Sequence, residues 1–245
     1  MFCKDDIALT DGGELPKGEK PPVHLEPWNT IIKLPDINGF PCRAVHLDAP
    51  LCQFGYKMVG LRESFDLLPL PHYRMAGKAR ELIYWDSCTK FCGVCGAPMM
   101  FHTDISKRCT NCGKEVWPAL AVAIIVAITR GDEILLVQSN KFKGDYLGLV
   151  AGFVETGETL EECVRREVME ETHISIRDIE YFKSQSWPYP SGLMVGFKAK
   201  YESGELCLQR SELNKGGWYR RNNLPAIPGK VSLARMLIDD WMDNG

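Results

Sequence analysis

The sequence predicts an α+β protein: a layered α/β/α sandwich preceded by a small β-rich domain. Three observations predict it. The chain has 245 residues, 45% of them hydrophobic and 25% charged, which suffices for one good core plus an accessory domain. Ala119 to Ile128 is a nearly continuous apolar run rich in Ala, Val and Ile, the pattern of a strand buried on both faces. After that run, strand-like and helix-like patterns intermix, as in a sheet with helices on its sides.

Residues 1–87 form the β-rich domain and its connecting helix. Short apolar runs are punctuated by Gly12-Gly13, Pro21-Pro22, Pro35 and Pro41, without a repeat. From His72 to about Tyr84, Met75, Ala79, Leu82 and Ile83 recur at helical spacing among Arg74, Lys78, Arg80 and Glu81. Residues 88–118 hold two cysteine pairs, and residues 119–245 form the sandwich. Its second strand is expected at Ile134–Val137, a Gly-rich stretch from Gly148 to Gly157 leads into a charged helix from about Thr159 to Thr172, and strands follow near 179–187 and 192–201. An amphipathic helix from about Val231 to Trp241 ends the pattern.

The formal charge of −3 argues against a broadly basic, sequence-independent nucleic-acid binder. No stretch reaches the roughly 18 apolar residues of a membrane span, and the N-terminus lacks a secretory pattern, so the expectation is a cytoplasmic protein without a membrane partner.

Ten cysteines are present, and Cys92, Cys95, Cys109 and Cys112 form two C-x-x-C pairs separated by 13 residues. That is the spacing of a four-thiolate zinc ribbon, and Gly93, Gly96 and Gly113 fit its turns. Four protein ligands leave no open coordination position, so one structural zinc per chain is expected. The alternative is a set of reduced buried thiols. Lys90, Lys107, Arg108 and Lys114 suggest either a basic patch on the ribbon or ordinary solvated charge.

The charged helix carries the chemistry. At about 100° per residue, the face centred on Leu160 holds Cys163, Val164, Glu167, Glu170, Glu171 and Ile174, while Glu162, Arg165, Arg166, Met169 and Thr172 fall opposite. A charged helix is ordinarily a solvated surface. Carboxylates on an apolar stripe at i, i+3 and i+4 repel one another unless a cation joins them, and Mg²⁺ or Mn²⁺ takes both carboxylate and phosphate oxygens.

Gly152, Glu158, Arg166, Glu167, Val168, Glu170, Glu171 and Ile174 stand at the spacing G-x5-E-x7-R-E-V-x-E-E-x-x-I over 23 residues, which resembles the Nudix box. The family usually has Gly where this chain has His173, a position where a left-handed residue ends the helix. The resemblance implies Glu167 and Glu171 as ligands of catalytic Mg²⁺ or Mn²⁺, Glu170 as ligand or base, Glu158 as a supporting carboxylate and Arg166 as their ion-pair partner. The carbonyl of Ala151 is a further candidate ligand.

Ser184-Gln185-Ser186-Trp187-Pro188-Tyr189-Pro190-Ser191 resembles the S-Q-P-W-P-x-P-x-S motif of the NADH pyrophosphatase branch, departing at Ser186 and at Gly192. An indole and a phenol on a stiff backbone make a plausible stacking platform for flat rings; the ordinary alternative is a Pro-rich loop with a packed Trp. The order of β-rich domain, ribbon, box and this motif resembles that branch over essentially the whole chain.

The branch implies substrate contacts from Trp117, Phe153, the 185–192 segment and Ala234, a third metal carboxylate at Glu212, and a homodimer. It also implies hydrolysis of NAD(H) to NMN(H) and AMP, and allows removal of an NAD cap from RNA. The rivals are a Nudix hydrolase for ADP-ribose or other nucleoside-diphosphate derivatives, and a non-catalytic zinc-ribbon RNA-binding protein.

Overall fold

The computed structural model describes residues 1–141 and 144–244. They fall into two compact units, Met1–Ala119 with Trp187–Ser191, and Leu120–Ser186 with Gly192–Gly245.

In the first unit, β1 (Phe2–Cys3), β2 (Asp6–Thr10), β3 (Ile31–Ile37), β4 (Phe40–Val45) and β5 (Tyr56–Gly60) form an antiparallel β1-β2-β5 sheet and a β3–β4 hairpin. Asn38 and Gly39 both have positive φ, the two-residue turn that matches the twist of a hairpin. Helix α1 (Leu70–Cys88) runs further at both ends than the apolar periodicity alone indicates. Pro71 lies in its first turn, where a missing N–H costs nothing, and Tyr73, Ala76, Ala79, Leu82, Ile83 and Trp85 form its buried face.

The ribbon contributes β6 (Met99–Thr103), β7 (Ser106–Cys109) and β8 (Glu115–Val116), an antiparallel sheet with a core of little more than Cys92, Met99 and Cys109. Lys107 is neither part of a basic patch nor solvated. It is 1% exposed, and its ammonium pairs with Asp86 at 2.7 Å while donating to the carbonyls of Asp86 and Thr89 at the end of α1. Arg108 is paired with Glu115.

In the second unit the strands are β9 (Ala121–Arg130), β10 (Glu133–Ser139), β11 (Val150–Phe153), β12 (Ser175–Trp187), β13 (Gly192–Ser203) and β14 (Leu213–Arg220), with helices α2 (Leu160–Thr172) and α3 (Leu233–Asn244). The sheet order is β12-β13-β9-β10-β14, with β11 also on β9; the β9–β13 pairing is parallel. The apolar run of β9 serves both faces. Ile124, Val126 and Ile128 pack with Cys163, Val164 and Val168 of α2, while Ile125 and Ala127 pack with Leu237, Ile238 and Trp241 of α3. This is the expected sandwich, and it explains why β9 lacks polar alternation.

Strand β14 has no counterpart among the strands expected from the sequence, and it contains the pair Gly216-Gly217. Here the glycine is needed by the sheet: a Cβ at Gly216 would lie 3.0 Å from the Leu136 carbonyl oxygen.

Candidate functional site

Helix α2 is placed by its ends. Thr159 accepts from the Glu162 amide and Glu162 accepts from the Thr159 amide, a reciprocal capping box. At the other end His173 adopts φ 59°, the left-handed turn where the box usually has glycine. Its Nδ1 lies 2.9 Å from the Cys207 carbonyl oxygen, a contact that glycine would lack.

The buried face of α2 is Cys163, Val164, Val168, Glu171 and Thr172. This corrects the helical projection in three respects. Thr172, projected outward, is a core residue beside Val168, with its hydroxyl satisfied by the Val168 carbonyl, and the Glu170 side chain is 53% exposed at the rim. Arg166 also leaves the solvent side and sits among the carboxylates.

Its guanidinium organises the site. Arg166 Nε donates to Glu158 Oε2 at 3.0 Å and Nη2 to Glu158 Oε1 at 2.6 Å, a bidentate fork. Nη1 donates to Glu167 Oε1 at 2.9 Å and to Glu170 Oε2 at 3.2 Å, and Nη2 also reaches the Phe153 carbonyl at 3.0 Å. Glu158 accepts from the Glu155 amide as well, and with Arg166 this pulls its carboxyl down to about 2. The same contacts push the Arg166 guanidinium up, chiefly through Glu158.

Gly152 of β11 explains the glycine of the box. A Cβ there would overlap the Glu167 carboxylate, so the strand is bare where that side chain crosses it. Ala151 precedes it in register with Ile125 of β9, and Phe153 follows with its side chain 65% exposed.

Glu171 is 9% exposed, and burial, then the neighbouring charges of Glu167 and Glu212, push its carboxyl up to about 7. Glu212 lies just before β14, where Lys141 pairs with it at 3.2 Å. The charges of Glu167 and Glu212 therefore both bear on Glu171, and oxygen donors of this charge suit a hard divalent cation. Among the described residues, however, the cysteines are the one group whose ligand atoms close to within 4.8 Å of each other; the glutamates as a set stand wider.

At the ribbon, Cys92 Sγ is 3.6 Å from Cys112 Sγ, and Cys95 Sγ is 3.4 Å from Cys109 Sγ. Zinc–sulfur bonds of about 2.3 Å in a tetrahedron place sulfurs about 3.8 Å apart, so this donor set fits zinc. The Val94 amide donates to Cys92, and those of Asn111 and Cys112 donate to Cys109; these backbone donors lower both thiols. Gly96 and Gly113 have positive φ in the two knuckle turns.

The substrate-contact candidates divide between the units. Trp117, 56% exposed, and Trp187–Ser191 belong to the first. There Pro188 packs on Gly77 of α1, where a Cβ would lie 3.1 Å from its ring, and the Tyr189 hydroxyl lies 3.1 Å from that of Tyr73. Ser191 donates to the Ala119 carbonyl. Arg62, which the sequence reading missed, stands 5.0 Å from the Trp187 ring centre and 4.7 Å from that of Tyr189. No sequence spacing connects it to them.

Phe153, Gln185, Ser186, Gly192 and Ala234 belong to the second unit. Both amide atoms of Gln185 are engaged at the entry to α3: Nε2 donates to the carbonyl of Val231, just before the helix, and Oε1 accepts from the amide of Leu233, its first residue. Gly192 is in register with Ala121 at the start of the parallel β9–β13 pair, and Ala234 is buried in the first turn of α3.

A glycine strand leading into a capped helix, with glutamates held around one arginine on a mixed sheet, defines a Nudix-type domain. The chain belongs to the Nudix family, with the NUDIX domain model matching residues 118–239. It is 39% identical to the NAD-capped RNA hydrolase NudC of Stutzerimonas stutzeri, over 99% of this chain and 88% of that protein. It is 38% identical to the protein of the same name from Deinococcus radiodurans, over 96% of this chain and 83% of that one. A crystal structure of a NUDIX hydrolase from Nitrosomonas europaea superposes with a TM-score of 0.54 at 21% identity, covering 63% of this chain and 90% of that one, a likeness of fold. Among the described residues, no helix is long and apolar enough to cross a membrane.

Proposed function

We propose that this protein hydrolyses the pyrophosphate of NAD(H) to NMN(H) and AMP, and removes the same dinucleotide as a cap from RNA 5′ ends. The observation that carries the catalytic part is the buried Glu171 beside Glu167 and Glu212, a like-charged cluster that is costly unless a cation shares it. Similarity to proteins named for NAD-capped RNA, over nearly the full chain, supports the substrate.

In this reading Glu167, Glu171, Glu212 and the Ala151 carbonyl hold Mg²⁺ or Mn²⁺. When bound, such ions neutralise charge on the pyrophosphate and acidify water. Arg166 keeps Glu167 over Gly152 and shares its charge with Glu158, so the ligand arrives pre-oriented. Glu170, exposed and held by one 3.2 Å contact, is free to accept the proton of the attacking water. The water oxygen bonds to one phosphorus as the bridging P–O bond breaks, and the leaving phosphate departs as NMN(H) or AMP. Phe153, Trp117 and the 185–192 segment with Ala234 supply the substrate contacts. The four cysteines hold a structural zinc, and the assembly is a cytoplasmic homodimer; exposed Phe91, Val94 and Met100 on the ribbon give it an apolar surface to bury.

Incubation with NADH and Mg²⁺ or Mn²⁺, with chromatography of the products, tests this. Wild type should yield AMP and NMNH, and Glu171→Gln should not. No cleavage by folded, zinc-loaded protein would sink the NADH assignment, and preferential cleavage of ADP-ribose would favour a nucleotide-sugar hydrolase.

A further inference from the structure

Glu212, one of the carboxylates proposed to hold Mg²⁺ or Mn²⁺, belongs to no strand or helix. It ends the strap 204–212 that joins β13 to β14. A ligand on such a segment binds a cation well only if the segment is fixed beforehand, because ordering it on binding costs entropy.

Helix α2 does the fixing. Gly204 begins the strap at φ 100° and passes so close to the helix end that a Cβ there would lie 2.8 Å from the His173 carbonyl oxygen. Beyond it, the Cys207 amide donates to the Thr172 carbonyl at 3.0 Å and the Gln209 amide to the Glu171 carbonyl at 2.9 Å. These are carbonyls that the last turn of a helix leaves without partners. Leu206 and Leu208, alternating with the bonded residues, pack against the core under α2. The strap then turns: the amides of Glu212 and Leu213 both donate to the Gln209 carbonyl, at 3.0 and 2.9 Å, and the Asn140 amide donates to the Glu212 carbonyl at 2.8 Å. The main chain of Glu171 is thereby tied to the segment that carries Glu212.

His173 adds a side-chain bond to this ladder. Its Nδ1 lies 2.9 Å from the Cys207 carbonyl oxygen, and since a carbonyl only accepts, Nδ1 carries the proton. The residue holds φ 59°, a left-handed conformation that costs any residue with a Cβ and that the glycine usual at this position of the box adopts freely. A strained residue persists where the structure around it compensates, and the bond to Cys207 is that compensation.

We propose that His173 is a positioning residue for the catalytic cation: it clamps the strap at Cys207 and so holds Glu212 near Glu171 before the ion arrives. The proposal rests on the reading above in which Glu171 and Glu212 are metal ligands.

The test uses the full-length, zinc-loaded protein. Mn²⁺ affinity is read from the electron paramagnetic resonance of the free ion, and hydrogen exchange is followed in peptides covering 204–212. His173→Gly keeps the turn and loses the bond. It should weaken Mn²⁺ binding about threefold, the weight of one exposed hydrogen bond, and speed exchange of the strap by a similar factor. Its melting temperature should hardly change, because glycine relieves the left-handed turn as it gives up the contact. In His173→Asn the side-chain nitrogen is attached to Cγ, as Nδ1 is in histidine, and asparagine tolerates the turn, so both readouts should return to near wild type.

Wild-type exchange and Mn²⁺ affinity in His173→Gly would overturn the proposal, as would faster exchange with unchanged affinity, or an equal loss in His173→Asn. Glu212→Gln separates this from the metal reading, since it should weaken Mn²⁺ binding about tenfold or more. If it does not, the assignment of Glu212 as a ligand fails and the proposal falls with it; a loss in Glu212→Gln with none in His173→Gly sinks the proposal alone. Wild type that binds Mn²⁺ with both dependences yet cleaves no NADH would sink the hydrolase reading and leave His173 in its role.

Discussion

Replacing Gly152 by alanine separates the geometry of the site from the stability of the fold. A Cβ at Gly152 would lie closer than 3.0 Å to the Glu167 carboxylate, where ordinary contact begins near 3.4 Å. The carboxylate must therefore retreat by about 1 Å or more, leaving its place beside Arg166, and a misplacement of that size costs about 10²-fold in rate. Stability should hardly move. Gly152 is not among the positive-φ residues, so alanine gains about 0.4–1 kcal/mol by restricting the unfolded chain. That offsets the loss of one partly exposed ion pair, itself worth about 1 kcal/mol or less. Steady-state hydrolysis of NADH together with a thermal melt decides the matter. Activity within about threefold of wild type, less than ~1 kcal/mol of barrier, would refute the placement of Glu167. So would a loss of activity that merely tracked unfolding.

Other perturbations read other parts of the structure. Arg166→Lys cannot reproduce the fork on Glu158 together with the bond to Glu167, and kcat/KM should fall about 10²-fold with little change in melting temperature. Glu171 has a folded value near 7 against an ordinary value of 4.5, so its burial costs nothing below about pH 4.5 and costs most above pH 7. In protein freed of divalent metal at the glutamates, Glu171→Gln should thus stabilise by on the order of 1–3 kcal/mol at pH 8 and much less at pH 5, as read by urea titration at both pH values. Metal analysis should find one zinc per chain in wild type, and Cys95→Ser should lose it along with a cooperative part of the melt, because the ribbon's own apolar core is too small to fold alone. Lys107→Met removes one partner of a buried pair; with Lys90 still on Asp86, the loss should be about 2–4 kcal/mol in chemical denaturation.

Much of this was legible in the sequence because the signals are local. The extent of the box helix, the left-handed turn at His173 and the C-x-x-C knuckles each depend on residues a few positions apart. The unbroken apolar run of β9 announced burial on both faces, and α2 and α3 cover those faces. Strand β14 escaped notice because Gly216 serves a close approach to β10, which only the partner strand reveals.

By itself, then, the sequence determined the composition of the machinery: four thiols at ribbon spacing, the glutamates and arginine of the box, and a glycine ahead of them. Only tertiary structure decided which of those charges are buried and what they touch. It turned Arg166 into the centre of the carboxylates, moved Glu170 to the rim, buried Lys107 against Asp86 and set Arg62 over Trp187 and Tyr189. The physical reason is that helical periodicity reports only the direction in which a side chain leaves its own backbone. Burial, pairing and proton affinity depend on what lies across the gap, and that is supplied by residues distant in the chain.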